Sequence, residues 1–230
     1  MNRVRPVEDA VKETIRSGQT LMVGGFGRGG TPFTILEVIT DRADDYEDLT
    51  IIKNDANEPD LGVGALIKRG MVKKLVSTHI GLNPEAVQMM NDGDLDIEFS
   101  PQGIFAERIR AGGAGIPAFL SDIGLDTVIA EGKQTMEFDG KTCLLEKALR
   151  GDVALLCADI VDESGNCWWR GSNRNMNPMM GMACETVIVE AREIVETGSM
   201  EPENIHLPSA FVDIVIQAQE RRHILEGRIN

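Results

Sequence analysis

Residues 21–32 read Leu-Met-Val-Gly-Gly-Phe-Gly-Arg-Gly-Gly-Thr-Pro, and the fold turns on this stretch. Leu21-Met22-Val23 is a short buried strand. Gly24, Gly25, Gly27, Gly29 and Gly30 follow it, with Phe26 and Arg28 between them. Thr31-Pro32 then opens a helix through about Arg42. Proline suits a first helical position, because its missing N–H would be unpaired there anyway. A strand that turns through glycines into a helix places free N–H groups at the helix start, which is the geometry of an anion site. The same glycines also fit a structural tight turn, where the backbone takes conformations other residues resist.

The rhythm extends outward from this unit. A helix is predicted over 6–16, with Ala10, Val11, Thr14 and Ile15 as its apolar side and Gly18 as its stop. Strands are predicted at 49–52, 72–77 and 95–99, alternating with helices at 61–69, 84–90 and 102–111. Short β-branched runs alternating with helices imply βα units around a parallel sheet, covered on both faces. The middle of the chain differs. Residues 127–130, 135–138 and 142–145 are strand-like, with Asp139-Gly140 as a hairpin turn between the last two. Residues 153–158 and 186–190 are further strands, Asn177-Pro178 starts a short Met-rich helix, and 208–219 begins extended and ends helical. The expected fold is α/β: an open, mostly parallel sheet flanked by helices, with added antiparallel strands or hairpins.

Composition narrows the function. The chain has 230 residues, 37 acidic against 23 basic, a formal charge of −14, and only 4% aromatics. This length suits one large domain, and no stretch is linker-like, so a single domain over 1–230 is expected. No apolar run is long enough for a membrane span, and residues 1–18 lack a signal-peptide core. A cytoplasmic protein is expected. Cys143, Cys157, Cys167 and Cys184 have no metal-ligand spacing and read as reduced structural thiols. The acidic excess argues against nucleic-acid binding. It leaves open an anionic small substrate held by local backbone dipoles.

The candidate site residues divide by chemistry. Gly25, Gly27 and Gly30 match G-x-G-x-x-G, whose test is an acidic residue at the end of the next strand, here Lys53-Asn54-Asp55. No Walker lysine follows the loop. Gln102, in Ser100-Pro101-Gln102-Gly103, begins a helix at the carboxyl edge of the sheet, where an uncharged donor could support an oxyanion. Glu107 and Arg108 read as a solvated salt-bridge face. Gly112, Gly113 and Gly115 end that helix and fit close approach to a ligand or another strand. Asn177 reads as a helix cap within a polar cluster with Asn173, Arg174 and Asn175. Met176, Met179, Met180 and Met182 read as core or interface filler. His79 is a possible base but reads better as a satisfied loop histidine. His206 and His223 stand alone, and no metal site is expected.

Residues 21–32 resemble the first signature of the family I coenzyme A transferases: a hydrophobic triplet, Gly-Gly-Phe, three residues, Gly, one residue and Pro. Ser17 stands where that signature usually has Asp or Asn. The resemblance continues through residues 100–117, Glu131-Gly132-Lys133, Phe138-Asp139-Gly140-Lys141, Arg174-Asn175-Met176-Asn177-Pro178 and residues 194–198. It covers nearly the whole chain and is to the alpha subunit, especially of acetate, butyrate and acetoacetate CoA-transferases. It implies movement of CoA from an acyl-CoA to a free short-chain carboxylate, in short-chain fatty-acid or ketone-body metabolism. The nucleophilic glutamate would lie on a beta subunit, in an α₂β₂ assembly. No cofactor would be permanently bound; the CoA thioester is substrate. Gln102 would help form the oxyanion hole, residues 24–30 would line the acyl end, and residues 112–115 would lie near the same cleft.

A carboxylate nucleophile is ionised at neutral pH and needs no base, which fits the absence of any Cys-His or Ser-His pairing. Within the family, a 3-oxoadipate or succinyl-CoA:3-ketoacid transferase is the rival reading, with Arg28 as the contact for a second carboxylate. A non-catalytic metabolite-binding module is the rival outside catalysis. An NAD-dependent dehydrogenase lacks a convincing catalytic pair.

Overall fold

The computed structural model describes residues 2–219. Its first half alternates as expected. α1 (Val7–Thr14) precedes β1 (Thr20–Val23), α2 (Phe33–Asp41), β2 (Leu49–Ile52), α3 (Val63–Lys68), β3 (Val72–Ser77), α4 (Pro84–Asp92), β4 (Asp96–Phe99) and α5 (Gln102–Gly113). β5 (Ala118–Ser121), β6 (Thr135–Phe138) and β7 (Lys141–Lys147) follow, then β8 (Gly151–Asp162), β9 (Cys167–Trp168), α6 (Asn177–Met182), β10 (Cys184–Val195) and β11 (Ile214–Gln217).

The large sheet has the order β11-β10-β8-β1-β2-β3-β4, all parallel along that path, with β9 antiparallel on β8. β5, β7 and β6 form a separate antiparallel sheet. The architecture is thus a mostly parallel α/β sheet with flanking helices plus antiparallel strands. Asp139 and Gly140 both take positive φ, +51° and +73°, in the turn joining β6 to β7, as their hairpin signal predicts.

Each central strand is apolar on both faces because helices cover both. Leu21 and Val23 pack with α1 to α4 on one side, and Met22 packs with Phe105 and Ile109 of α5 and Met180 of α6 on the other. Full burial of one such side chain contributes about 1.5–3 kcal/mol. From β1 the chain winds one way through β2, β3 and β4, then returns to β8 on the other side of β1. Strand order therefore reverses between β1 and β8. Ligands of open α/β sheets bind in the crevice at the carboxyl ends of strands flanking such a reversal. The glycine loop leaves β1 at that end.

Two expectations are corrected, and one strand is added. Residues 127–130 are not a strand: Val128–Ala130 is a 3-10 turn whose start is capped by the Thr127 hydroxyl, which accepts from the Ile129 N–H. A four-residue apolar run becomes a strand only if another strand pairs with it, and Val128 is exposed. The end of 208–219 is not helical: Ile214–Gln217 is β11, drawn into the sheet by pairing with Ile188 to Ala191 of β10. Ala118–Ser121, unassigned from sequence, is a strand because β7 offers it an edge.

Candidate active site at the glycine loop

The loop after β1 is built as a miniature hairpin. Phe26 and Gly29 exchange two backbone hydrogen bonds, 2.9 and 3.1 Å, which turns Gly27-Arg28 into the tip. Side chains fasten this hairpin at both ends. At the tip, the Gly27 N–H donates to Asp55 Oδ2 at 2.8 Å, and the Asn57 amide donates to the Gly27 carbonyl at 2.9 Å. The Thr31 hydroxyl closes the loop by donating to the same carbonyl at 2.8 Å.

The wall of the loop comes from residues before and within α6. Asn177 is fully buried, and a Cβ on Gly24 would fall on its Oδ1. A Cβ on Gly30 would lie 2.7 Å from the Asn173 carbonyl. Glycine at these two places is required by close approach. Asn177 therefore does not cap α6 as expected. It is the first residue of that helix, and its amide donates back to Asn173 O at 2.9 Å. Asn173 is held in turn by Asp159 of β8, 3.3 Å away.

Asp55 is the anchor of the arrangement. It accepts from the N–H groups of Gly27 and Asn57, the amides of Asn54 and Asn57, and the buried Lys53 ammonium at 3.2 Å. Burial pushes the Asp55 carboxyl up, but Lys53 and these donors outweigh it and hold the group below the usual carboxylate range. Burial pulls Lys53 below its ordinary value despite Asp55. The acidic residue at the end of the second strand thus faces inward and holds the loop, which takes it away from the ribose role of a dinucleotide fold.

Gln102 joins the same network. Its Nε2 donates to Asn54 Oδ1 at 2.7 Å, and Asn54 Nδ2 donates to Asp55 at 3.3 Å. The Asn54 carbonyl is held by the Ser77 and Thr78 hydroxyls at 3.1 and 2.8 Å. One hydrogen-bonded chain therefore runs from the start of α5, across the ends of β3 and β2, to the tip of the glycine loop. Gln102 is exposed, and an amide nitrogen carries two hydrogens. Its second N–H is not used in any hydrogen bond among the described residues and is available to an oxygen in the crevice.

The helix start that follows the loop is differently disposed from its sequence reading. α2 does not offer free N–H groups to an outside anion. Glu190 of β10 reaches it: Thr34 N–H donates to Glu190 at 2.8 Å, Ile35 N–H at 3.3 Å, and the Thr34 hydroxyl at 2.9 Å. Burial raises the Glu190 carboxyl to about 7, against the opposing effect of these donors. Sequence reasoning missed Glu190. Its signal was a lone acid within the apolar run Val187-Ile-Val-Glu-Ala191.

The remaining candidates scatter. Arg28, at the loop tip, donates to Glu58 at 2.8 Å and is about half exposed. His79 lies near the site, where Asp55 and His79 form a backbone bridge, and its Nδ1 is 2.9 Å from the Thr78 hydroxyl. Gly112 and Gly113 do not join the site. They occupy the last turn of α5, the opposite end from Gln102, about 15 Å away at 1.5 Å per residue. There they pack against the Leu149 carbonyl and Met182. Gly115 follows with φ +75° and open space around it. Arg108 is buried rather than solvated, pairing with Glu98 at 2.8 Å and donating to the Lys147 carbonyl at 2.7 Å. Met176 and Met180 are core, and Met182 is partly exposed.

Burial holds Cys157, Cys167 and Cys184 as neutral thiols. Burial pushes the Cys157 and Cys184 thiols up to about 12. His206 accepts from the Trp169 N–H at 3.1 Å and stacks near Trp168 and Trp169. His223 lies outside the described residues.

The coenzyme A transferase family model matches residues 4–218. The alpha chain of the acetate CoA-transferase of Escherichia coli (strain K12) is 44% identical over 207 residues, 90% of this chain and 93% of that one. One of the subunits of the succinyl-CoA:3-ketoacid coenzyme A transferase of Xanthomonas campestris pv. campestris (strain B100) is 42% identical over 223 residues, 96% and 91%. The crystal structure of an acyl-CoA transferase apoenzyme from Escherichia coli O157:H7 shares the fold, with a TM-score of 0.86 at 23% identity. The match covers 94% of this chain and 47% of that longer one. This protein belongs to the coenzyme A transferase family, where it aligns with the alpha subunits.

Proposed function

We propose that this chain is the alpha subunit of a cytoplasmic two-subunit CoA-transferase, acting on short-chain carboxylates such as acetate, butyrate or acetoacetate. The observation that carries the reading is the hydrogen-bonded chain joining Gln102 to the glycine loop through Asn54 and Asp55. It fixes an uncharged amide donor beside a backbone-lined crevice, which is what a developing oxyanion requires. The partner beta subunit supplies the nucleophilic glutamate. That carboxylate attacks the acyl-CoA carbonyl carbon, the C–S bond breaks, and an acyl–glutamyl anhydride and CoA thiolate result. The thiolate then attacks the glutamyl carbonyl, releasing the donor acid and leaving a glutamyl-CoA thioester. The acceptor carboxylate reverses these steps, and CoA leaves on the new acyl group. Each tetrahedral intermediate carries one negative oxygen, and the free Gln102 N–H is the donor offered to it by this chain.

Similarity to relatives does not choose the acceptor, since 44% and 42% identity go to proteins named for different acids. Arg28 bears on the choice. Its pairing with Glu58 offsets part of the charge a second carboxylate would seek, which favours a monocarboxylate over a dicarboxylate.

The test is co-expression with the beta subunit, followed by CoA exchange from acetyl-CoA to acetoacetate, butyrate, succinate and 3-oxoadipate. Gln102→Ala is expected to lower turnover on the order of 10²-fold, as for loss of one oxyanion donor, with assembly intact. Wild-type turnover in that variant would remove Gln102 from the mechanism. No exchange with any acid would overturn the transferase reading and leave a binding module.

A further inference from the structure

The start of α2 is the natural place for an anion beside the glycine loop, and the protein fills it with its own carboxylate. Glu190 is 5% exposed. It lies on β10 opposite Cys157 of β8 and Ile216 of β11, and its oxygens take two of the four N–H groups that a helix start leaves unpaired. The Thr34 hydroxyl, which donates to Glu190, itself accepts from the Gln219 N–H at 3.0 Å. Only Thr31, Pro32 and Phe33 separate this clamp from Gly30. Burying a carboxylate is costly unless its oxygens are satisfied, and here the two α2 amides and the Thr34 hydroxyl satisfy them.

We infer that Glu190 is a positioning residue for the glycine loop: it holds the helix start that the loop runs into, and it bars that helix start from binding the substrate's anion. The inference rests on the CoA-transfer reading above. Asp55, just past the end of β2, holds the tip of the loop, and Glu190 of β10 holds its far end, so the segment between them is tied to the sheet at both ends. The substrate then meets the loop and Gln102, and its charge is left to contacts other than the α2 N-terminus. The charged and titratable groups facing Glu190 are Cys157 across the sheet and Arg192 two residues along β10; Arg192 also pairs with Asp159 at 3.3 Å. Thr34 and Ile35 face it from α2. Ionisation of this carboxyl near neutrality strengthens it as an acceptor for the helix amides.

The experiment compares wild type, Glu190→Gln and Glu190→Ala in the co-expressed two-subunit complex. Amide hydrogen exchange is expected to rise about tenfold at Thr34, Ile35 and residues 25–31 in Glu190→Ala, with α4 unchanged. KM for the acyl-CoA donor should rise about tenfold while kcat changes by less than threefold. Glu190→Gln, which keeps one acceptor oxygen, should fall between. The wild-type kcat/KM should rise with pH through about 7, and this limb should be absent in Glu190→Gln. Unchanged exchange at residues 25–31 would overturn the inference. So would faster exchange with unchanged KM and an unchanged pH limb, which is the pattern of a purely structural cap. If Glu190→Ala does not fold, Glu190→Gln carries the same comparison with about threefold effects. A wild-type complex that moves no CoA would overturn the transferase reading instead, and the exchange data would still decide whether Glu190 holds the loop.

Discussion

Residues 24–30 and residues 112–115 are both glycine clusters beside a helix, but the structure uses them in different ways. The first lies in a loop at the carboxyl edge of the sheet, with φ of +99° at Gly25 and +71° at Gly30. Polar groups press on it from Asn173, Asn177 and Asp55. The second lies in the last turn of α5 and just beyond, where Gly112 and Gly113 let the helix sit on the Leu149 carbonyl and on Met182. In the first cluster, the missing side chains let a polar network reach the backbone. In the second, they let two chain segments pack. Removing a Cβ serves either purpose, and the neighbours decide which.

The contrast can be broken from either side. The largest expected effect is at the anchor of the first cluster. Asp55→Asn leaves the Lys53 ammonium buried without its counter-charge, a loss of about 3–5 kcal/mol, and it should depress both unfolding midpoint and turnover. A variant with wild-type stability would show that Asp55 does not hold the loop. Next is the second cluster. Gly112→Ala drives a methyl onto a backbone carbonyl that cannot swing away, so about 1–3 kcal/mol of overpacking is expected. Chemical denaturation should detect it, with KM of the folded complex unchanged; a raised KM would place this glycine in the substrate cleft after all.

Glu190 sharpens the difference through pH. Its native-state value, about 7, lies above the ordinary 4.5, so the folded chain binds more protons between those limits. This group's contribution to stability is full below about 4.5 and is lost as pH rises through 7, at no more than about 1.4 kcal/mol per unit. Urea unfolding at pH 5, 6 and 7.5 should show this slope in wild type and a flatter one in Glu190→Gln. The smallest effect belongs to the loop tip. Arg28→Ala removes an exposed ion pair worth about 0–1 kcal/mol, and the ratio of acetoacetate to succinate turnover should stay within threefold. Selective loss of succinate turnover would restore Arg28 as a dicarboxylate contact.

Much of the fold was legible because its strands are apolar on both faces and its punctuation is strong. β2 and β3 match their sequence ranges to the residue, and the Asp139-Gly140 turn lies where its φ requirement puts it. The misses share a cause. β11 exists because β10 pairs with it, and residues 127–130 have no such partner. Gln102 was legible as a helix-start residue at the sheet edge. That Asn54 orients its amide was not, since 48 residues separate them.

By itself the sequence determined the βα rhythm, the place of the glycine loop between strand and helix, and the acidic, aromatic-poor character of the chain. These follow from local rules: hydrophobic period, proline at a helix start, glycine where φ must be positive. Tertiary structure alone decided what each polar group near the loop does. Asp55 turned inward to a buried lysine, Asn177 became a wedge, and Glu190 came from 156 residues away to the start of α2. The physical reason is that buried carboxylates need hydrogen-bond donors, and the Gly27 N–H that Asp55 accepts from and the Thr34 N–H that Glu190 accepts from reach them only in the folded sheet.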